Sequence, residues 1–344
     1  MRITFVWPTV QFGGGVLALF ELANALARIG HDVRVVHGPA WPGRIDRVEQ
    51  IDWFTFEPTI RHHVVDELDD PSLPDGDIVF APGLDARLGL PVVVIQGHRL
   101  LSEEIERPAY EGPFPKACVA RWLVDVGRDY GVAPHQLWHI PCGIDHAVFR
   151  APPPAPRPHD VAVLWSSHVA KGFPTALDAL SRLRARRPDL SVVVFSQPRP
   201  DPPLPDWMTF VQGPDHETLA RDVYGRVKVF VQSSFVEGFG LTALEAMACG
   251  AALVTTDNGG SAEYADDGDN ALVVPPRDPD ALAAAVERIL DDHALRSRLA
   301  DAGRRRALDF DWNVSARRLT THLEDYLADP ARFRVAADPR LAAP

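Results

Sequence analysis

Strands written as near-continuous apolar runs must be buried on both faces, and most of the β-rich segments in the first half of this chain are written that way. Residues 77–81, 91–96, 117–120 and 137–140 are such runs, with helical patterns between them. A parallel sheet covered by helices on both sides meets that demand. The first repeat of the alternation has a short β-rich run at 3–7 and a loop ending in Gly13, Gly14 and Gly15. A helical pattern at 16–29 follows, stopped by Gly30, and then a strand at 33–36. Such units give parallel strands almost without exception. Gly13, Gly15 and Ala18 match the spacing of a dinucleotide fingerprint. However, the glycines stand five residues past the strand, and the second strand ends at His37 where a ribose-binding acid is required. What survives is a glycine loop at a helix N-terminus, suited to a phosphate or to a plain tight turn.

A chain of 344 residues suits two domains rather than one core. Residues 151–158 hold five prolines and read as a stiff linker. Beyond them a second alternation begins, with strands at 161–165, 191–196, 209–211, 227–232, 252–255 and 271–274. Helices fall at 174–186, 217–224, 242–248 and 280–291. A last amphipathic helix sets Leu319, Leu323 and Leu327 on one stripe and needs a surface to pack on. The expected division is 1–150, an acceptor-side domain; 151–158, the linker; 159–312, a second domain; 313–330, a helix on the first domain; and 331–344, a fraying tail. Residues 40–74 are irregular, with a candidate strand at 51–56. The acids between Asp66 and Asp77 fit a solvated face or an attraction for a cationic substrate.

The net charge of -12 argues against nucleic acid and against an anionic membrane as partner. Residues 1–7 read as neither signal peptide nor spanning segment, so a cytoplasmic protein without stable membrane insertion is expected. Cys118, Cys142 and Cys249 are isolated, which points to core thiols rather than a disulfide frame or a metal site. Oligomeric state is not legible.

The chemistry concentrates at residues 237–245, Glu-Gly-Phe-Gly-Leu-Thr-Ala-Leu-Glu. They follow an apolar run and read as a glycine-bearing loop leading into a helix N-terminus, a place able to hold an anion. Glu237 and Glu245 bracket it and would meet hydroxyl groups beyond the phosphate. Thr242 and Glu245 also have capping-box spacing, which gives Glu245 a structural alternative; Glu237 shows neither cap nor charge partner. Lys171-Gly172, in the first crossover loop of the second domain, would lie at the same sheet edge, either facing a phosphate or as a surface lysine. His98 follows the 92–96 run at the carboxyl end of a strand, functional or structural. Arg182, Arg184, Arg186 and Arg187 crowd a helix end and read as structural.

Taken together, the 237–245 element, the Ile140-Pro141-Cys142-Gly143-Ile144-Asp145 turn with Phe149, Lys171-Gly172, and Gly259-Gly260 with Glu263 before Asn270-Ala271-Leu272-Val273-Val274 resemble retaining glycosyltransferases of the GT-B fold, family 4. The resemblance is strongest over 140–312. It implies an α/β protein with two tandem Rossmann-like doubly wound domains facing across a cleft and a C-terminal helix returning to the first domain. It also implies sugar transfer from a nucleotide-diphosphate sugar without metal or other cofactor. By the same resemblance Glu245 would bind the donor's ribose and Glu237 would orient the transferred sugar. Gly238, Phe239, Gly240, Leu241 and Thr242 would hold sugar and diphosphate. Lys171 would neutralise the leaving group, Gly14 or Gly15 would approach it, and His98 would contact the sugar near the reacting carbon.

The family usually carries an arginine about five residues before the lysine. Ser166 stands there, so half of the positive clamp is absent, with His168, Arg99 or another basic group as replacements; Cys142 stands where asparagine is usual. The expected function is transfer to a hydroxyl of a soluble small-molecule or oligosaccharide acceptor. The alternatives are a nucleotide-sugar epimerase of related fold and a non-catalytic sugar-nucleotide-binding partner subunit.

Overall fold

The computed structural model describes residues 1–7, 10–38, 45–67, 70–81, 86–100, 103–152 and 155–333. The expected tail from 334 onward, residues 153–154 of the proline-rich segment and Asp69 of the acidic stretch lie outside them. The chain divides into two compact units, Met1–Gly143 with Trp312–Pro344, and Ile144–Asp311.

In the first unit, strands β1 (Arg2–Trp7), β2 (Asp32–His37), β3 (Arg61–Val64), β4 (Ile78–Phe80) and β5 (Leu90–Pro91) form a parallel sheet in the order β3-β2-β1-β4-β5. A second parallel sheet runs β6 (Val93–Ile95), β7 (Lys116–Cys118), β8 (Leu137–His139). Helix α1 (Gly14–Arg28) buries Leu17, Phe20, Leu22, Ala23 and Leu26; α2 (Glu103–Glu111) and α3 (Arg121–Asp129) complete the crossovers. Residues 51–56 are not a strand. Phe20 of α1 packs against Trp53, Phe54 and Phe56, while the Asn24 side chain donates to Thr55 O and accepts from Glu57 N, each at 2.9 Å. A helix side chain thus takes the place of a strand neighbour, and β3 is supplied by Arg-His-His-Val.

In the second unit, β9 (His159–Leu164), β10 (Val192–Ser196), β11 (Met208–Gln212), β12 (Val227–Gln232), β13 (Ala252–Thr256) and β14 (Ala271–Val274) form a fully parallel sheet in the order β11-β10-β9-β12-β13-β14. Counted from β9 this is the doubly wound order 3-2-1-4-5-6, whose direction reverses between β9 and β12. The connections between strands carry α4 (Phe173–Arg186), a single turn α5 (His216–Thr218) and α6 (Leu241–Ala248), while α7 (Pro279–Asp291) and α8 (His293–Ala307) follow the last strand. Arg182, Arg186 and Arg187 of the α4 end and the residue after it reach Asp280, Glu287 and Asp291, tying α4 to α7. Both units are Rossmann-like, the α/β architecture of GT-B proteins.

The second unit begins at Ile144, ahead of the proline-rich segment rather than after it. Ile144 N donates to Phe310 O, Phe149 packs on His216 and Tyr224, and the Arg157 guanidinium donates to Tyr224 O, Val227 O and Cys249 O at 2.7–2.8 Å. Those bonds fasten the described part of 151–158 to the second unit's own core, so it is not a free linker. Helix α9 (Trp312–Ala328) belongs to the first unit, where it packs along α1, stacks His322 on Trp138 and buries Leu319 and Leu323.

Between β2 and β3 the His37 Nε2 and His62 Nδ1 atoms lie 3.1 Å apart, while His37 Nδ1 and His63 Nε2 are buried without a partner. Burial first, and then the His62 ring, pushes His37 down to about 4; burial also lowers His62 and His63. The unfolded chain binds these protons near the ordinary value of about 6.5, so stability is fully present above that pH and is lost as pH falls toward the folded value. Melting temperature should therefore drop between about pH 7.5 and pH 5, with His37 alone accounting for about 2 kcal/mol. His37→Asn should flatten the profile, and an unchanged profile would contradict the assignment.

Candidate active site

At the reversal point between β9 and β12, the loops leaving both strands meet. The loop after β9 makes a turn over Val169–Lys171, and Gly172 then adopts φ +65°. A Cβ there would sit 2.1 Å from Ser233 O, so only glycine lets the two loops approach this closely. Phe235 N donates to Ala170 O at 2.6 Å and Ser233 Oγ to Lys171 O at 3.1 Å, lacing the turn to the loop after β12.

Lys171 Nζ lies 2.8 and 2.9 Å from the two carboxylate oxygens of Glu237. Lys171 is thus not an isolated surface lysine, and Glu237 has the charge partner that the sequence did not disclose. The Glu237 Oε1 atom also accepts from Gln232 Nε2 and Ser234 Oγ, each at 2.6 Å. With 5% of its surface exposed, the carboxylate is held in one orientation by three side chains. Sequence reasoning missed Gln232 and Ser234, although a Gln-Ser-Ser triplet closing an apolar strand was a visible signal.

The backbone around Glu237 is held from the other side. Glu237 N donates to Asn258 O, and Glu237 forms a parallel bridge with Gly259. A Cβ on Gly260 would fall 2.8 Å from Glu237 O and from the Phe239 N and Cα atoms. Gly240 takes φ +89° and its carbonyl accepts from Tyr264 OH at 2.7 Å. Helix α6 starts there without a side-chain cap. Thr242 Oγ1 donates instead to Gln232 Oε1 at 3.1 Å, and Glu245 accepts from Tyr224 OH at 3.2 Å. The capping-box reading of Thr242 and Glu245 is therefore overturned: the hydroxyl has turned toward the strand and the acid into the core. Glu245 is itself buried, and burial together with its carboxylate raises the Tyr224 phenol and pushes Cys249 up to about 12.

Ser166 Oγ accepts from His168 N at 3.1 Å, and His168 Nδ1 accepts from Ala170 N at 3.3 Å. Both residues shape the Lys171 loop.

In the first unit Gly14 and Gly15 occupy the first turn of α1. Gln96 Nε2 donates to Gly15 O at 2.9 Å, and a Cβ on Gly15 would meet Gln96 Oε1 at 2.8 Å. Gln96 thereby links the glycine turn to the segment carrying His98. The His98 ring is packed against Tyr110, Trp122 and Tyr130. Its Nδ1 is 3.0 Å from Glu106 Oε2, close enough for an ion pair but without hydrogen-bond angles. Glu106 also accepts from Arg99 N at 2.6 Å and Leu100 N at 2.9 Å, so one carboxylate fixes the whole turn after His98. The sequence hid Glu106 within an acid-rich helix start. Each unit thus gathers its own expected residues: Ser166, Lys171 and 237–245 in the second, Gly14, Gly15 and His98 in the first. Among the described residues no group of three or more His, Cys, Asp or Glu could hold a metal ion, and no helix is long and apolar enough to cross a membrane.

Residues 166–306 match the family model of glycosyl transferases group 1. The chain is 32% identical to an MMP alpha-(1->4)-mannosyltransferase of Mycolicibacterium hassiacum, over 62% of this chain and 53% of that protein. It is 28% identical to a D-inositol 3-phosphate glycosyltransferase of Acidothermus cellulolyticus, over 90% of this chain and 70% of the relative. It spans about half the length of the first curated relatives it matches. Its fold is shared with a sucrose-phosphate synthase from Thermosynechococcus elongatus, at TM-score 0.75 and 19% identity over 95% and 99% of the two chains. It is also shared with Anabaena HepE in complex with UDP and glucose, at TM-score 0.72 and 15% identity over 94% and 99%.

Because Lys171 offsets a buried carboxylate, its removal is costly. Lys171→Met should destabilise the protein by about 1–3 kcal/mol, discounted for the partial exposure of the lysine. Lys171→Met with Glu237→Gln should recover most of that loss in a denaturant titration, whereas additive losses would mean that the pair is not coupled.

Proposed function

We propose that this chain is a retaining, metal-independent group 1 glycosyltransferase of family 4. On this reading it moves a sugar from a nucleotide-diphosphate sugar to a hydroxyl of a soluble small-molecule or oligosaccharide acceptor in the cytoplasm. The observation that carries the proposal is the Lys171–Glu237 pair beside the N-terminus of α6, at the reversal point of a doubly wound sheet and inside the family match. That is where such sheets bind ligands, and a helix start with a lysine beside it suits a diphosphate. The relatives named for sugar transfer support the reaction class.

In the proposed reaction the bond between the anomeric carbon and the donor phosphate oxygen breaks, and its electron pair leaves with the diphosphate. The acceptor oxygen bonds to the same carbon on the same face, and its proton passes to the departing phosphate. Positive charge grows on the sugar and negative charge on the phosphate, so groups fixed before the reaction lower the barrier by electrostatic stabilisation. Lys171, turning from Glu237 to the diphosphate, meets the negative charge together with the first-turn amides of Leu241 and Thr242. Glu237, still held by Gln232 and Ser234, accepts from hydroxyls of the transferred sugar; Gly238, Phe239 and Gly240 let the donor lie against the backbone. Glu245 accepts from the ribose, exchanging part of its bond to Tyr224.

A panel of nucleoside diphosphates and their sugars should raise the melting temperature of the purified protein for at least one base. With that donor, Glu237→Gln should lower kcat at least about 100-fold while changing diphosphate affinity by less than about threefold. Equal loss of both would remove Glu237 from the sugar side, and transfer with no donor and acceptor of a broad panel would overturn the reading.

A further inference from the structure

Two non-glycine residues among those described have a left-handed backbone, Arg99 and Arg277. Arg277 stands between Pro276 and Asp278 in the loop from β14 to α7, at φ +65°, a conformation that disfavours a side chain with a Cβ. Strain of this kind is kept where the rest of the structure uses it, often at a ligand clamp. Asp278 fixes the following helix start by accepting from Ala281 N, and prolines flank the turn on both sides, so Arg277 cannot relax by shifting its neighbours.

The exposed guanidinium of Arg277 lies over the Phe235 ring, 4.2 Å from its centre. That ring edge in turn packs on the Lys171 turn: its Cε1 is 3.0 Å from where a Cβ on Gly172 would be, and Phe235 N donates to Ala170 O. One aromatic ring therefore separates Arg277 from the loop that presents Lys171. Among the described residues the guanidinium makes no ion pair. Other basic groups among the described residues at this sheet edge have partners of their own. Arg199 lies over Phe210 and donates to Gln212 in β11; Arg306 pairs with Asp309 and donates to Glu263 O; His168 Nδ1 accepts from Ala170 N within its own turn. Glu237 already cancels Lys171, and Glu245 adds a second buried carboxyl group, so a diphosphate arriving here needs another cation.

We infer that Arg277 supplies this cation: it is a donor-binding residue that engages the outer phosphate of the nucleoside diphosphate, standing in for the arginine that Ser166 replaces. This rests on the proposed donor site. The Phe235 face carries the guanidinium, leaving its N–H groups to meet phosphate oxygens once they approach. The β14–α7 loop is sequence-distant from Lys171, so the two positive groups close on the anion from separate strands of the same sheet edge.

The test is calorimetric titration of the full chain with UDP, GDP and ADP, each against its monophosphate, for wild type and for Arg277→Gln, Arg277→Lys and Arg277→Gly, with Lys171→Ala as the reference. With the diphosphate that binds, Arg277→Gln should raise Kd about tenfold, and the monophosphate Kd by less than about threefold. Arg277→Lys should fall between. Arg277→Gly should lose as much affinity as Arg277→Gln while raising the melting temperature, because glycine relieves the left-handed backbone; this separates lost charge from lost fold. If Arg277→Gln binds the diphosphate as wild type does while Lys171→Ala fails, the inference falls and the donor site stands. Equal weakening toward diphosphate and monophosphate also overturns it. If wild type binds none of the diphosphates, the donor reading falls and takes this inference with it.

Discussion

A carboxylate removed from water has to be repaid by partners, and the second unit is arranged around repaying Glu237. Its partners come from two strand ends: Gln232 and Ser234 from the β12 side, Lys171 from the turn after β9. Bringing them within reach requires the two loops to pack backbone to backbone, which Gly172 permits at Ser233, while Gly260 lets the loop after β13 close on Phe239. The parallel sheet order makes those loops neighbours, and the loops make the sheet edge a site. Take away the ion pair and the close approach of the loops has lost its electrostatic reason.

The same arrangement explains why α6 begins without a side-chain cap. A Thr-x-x-Glu pattern ordinarily folds back on its own helix start. Here Gln232 spends its amide on Glu237 and its carbonyl oxygen on Thr242, so the hydroxyl is drawn off the helix. Tyr224 draws Glu245 into the core in the same way. A helix start stripped of its own caps leaves amides for something else, which is the local condition an anion site requires.

Much of the fold was legible because buried parallel strands leave unbroken apolar runs, and the second unit's strands were each placed within a residue or two for that reason. The failures have physical causes. Residues 51–56 look like a strand because they are aromatic and alternating, yet their rings are claimed by Phe20 and their backbone by Asn24. The real edge strand, Arg61–Val64, carries two histidines and no apolar run. The proline-rich segment looked like a linker because composition reports stiffness but not attachment; Arg157, a single charge in that segment, anchors it through three carbonyls. At the site, the glutamates and the lysine were legible as residue types in a recurring pattern. Their pairing was not, because 66 residues separate Lys171 from Glu237 and only the strand order brings them together.

The pairing also changes what the site must do. A lysine already bound to a carboxylate offers a diphosphate less than a free one, since the new bond forms only as the old one loosens. The exchange has a use. Without a donor the pair keeps Glu237 satisfied; on the proposed reading, a diphosphate would draw Lys171 to its stronger negative charge and release the carboxylate toward hydroxyl groups while Gln232 and Ser234 keep its orientation. A single lysine displacement would then couple phosphate occupancy to the readiness of Glu237 for the sugar. An arginine in place of Ser166 would have put a second cation next to this pair, on the same loop. On the proposed reading a cation from the far side of Phe235 would add attraction for the donor without competing for Glu237, which is the electrostatic case for a clamp built from two separate loops.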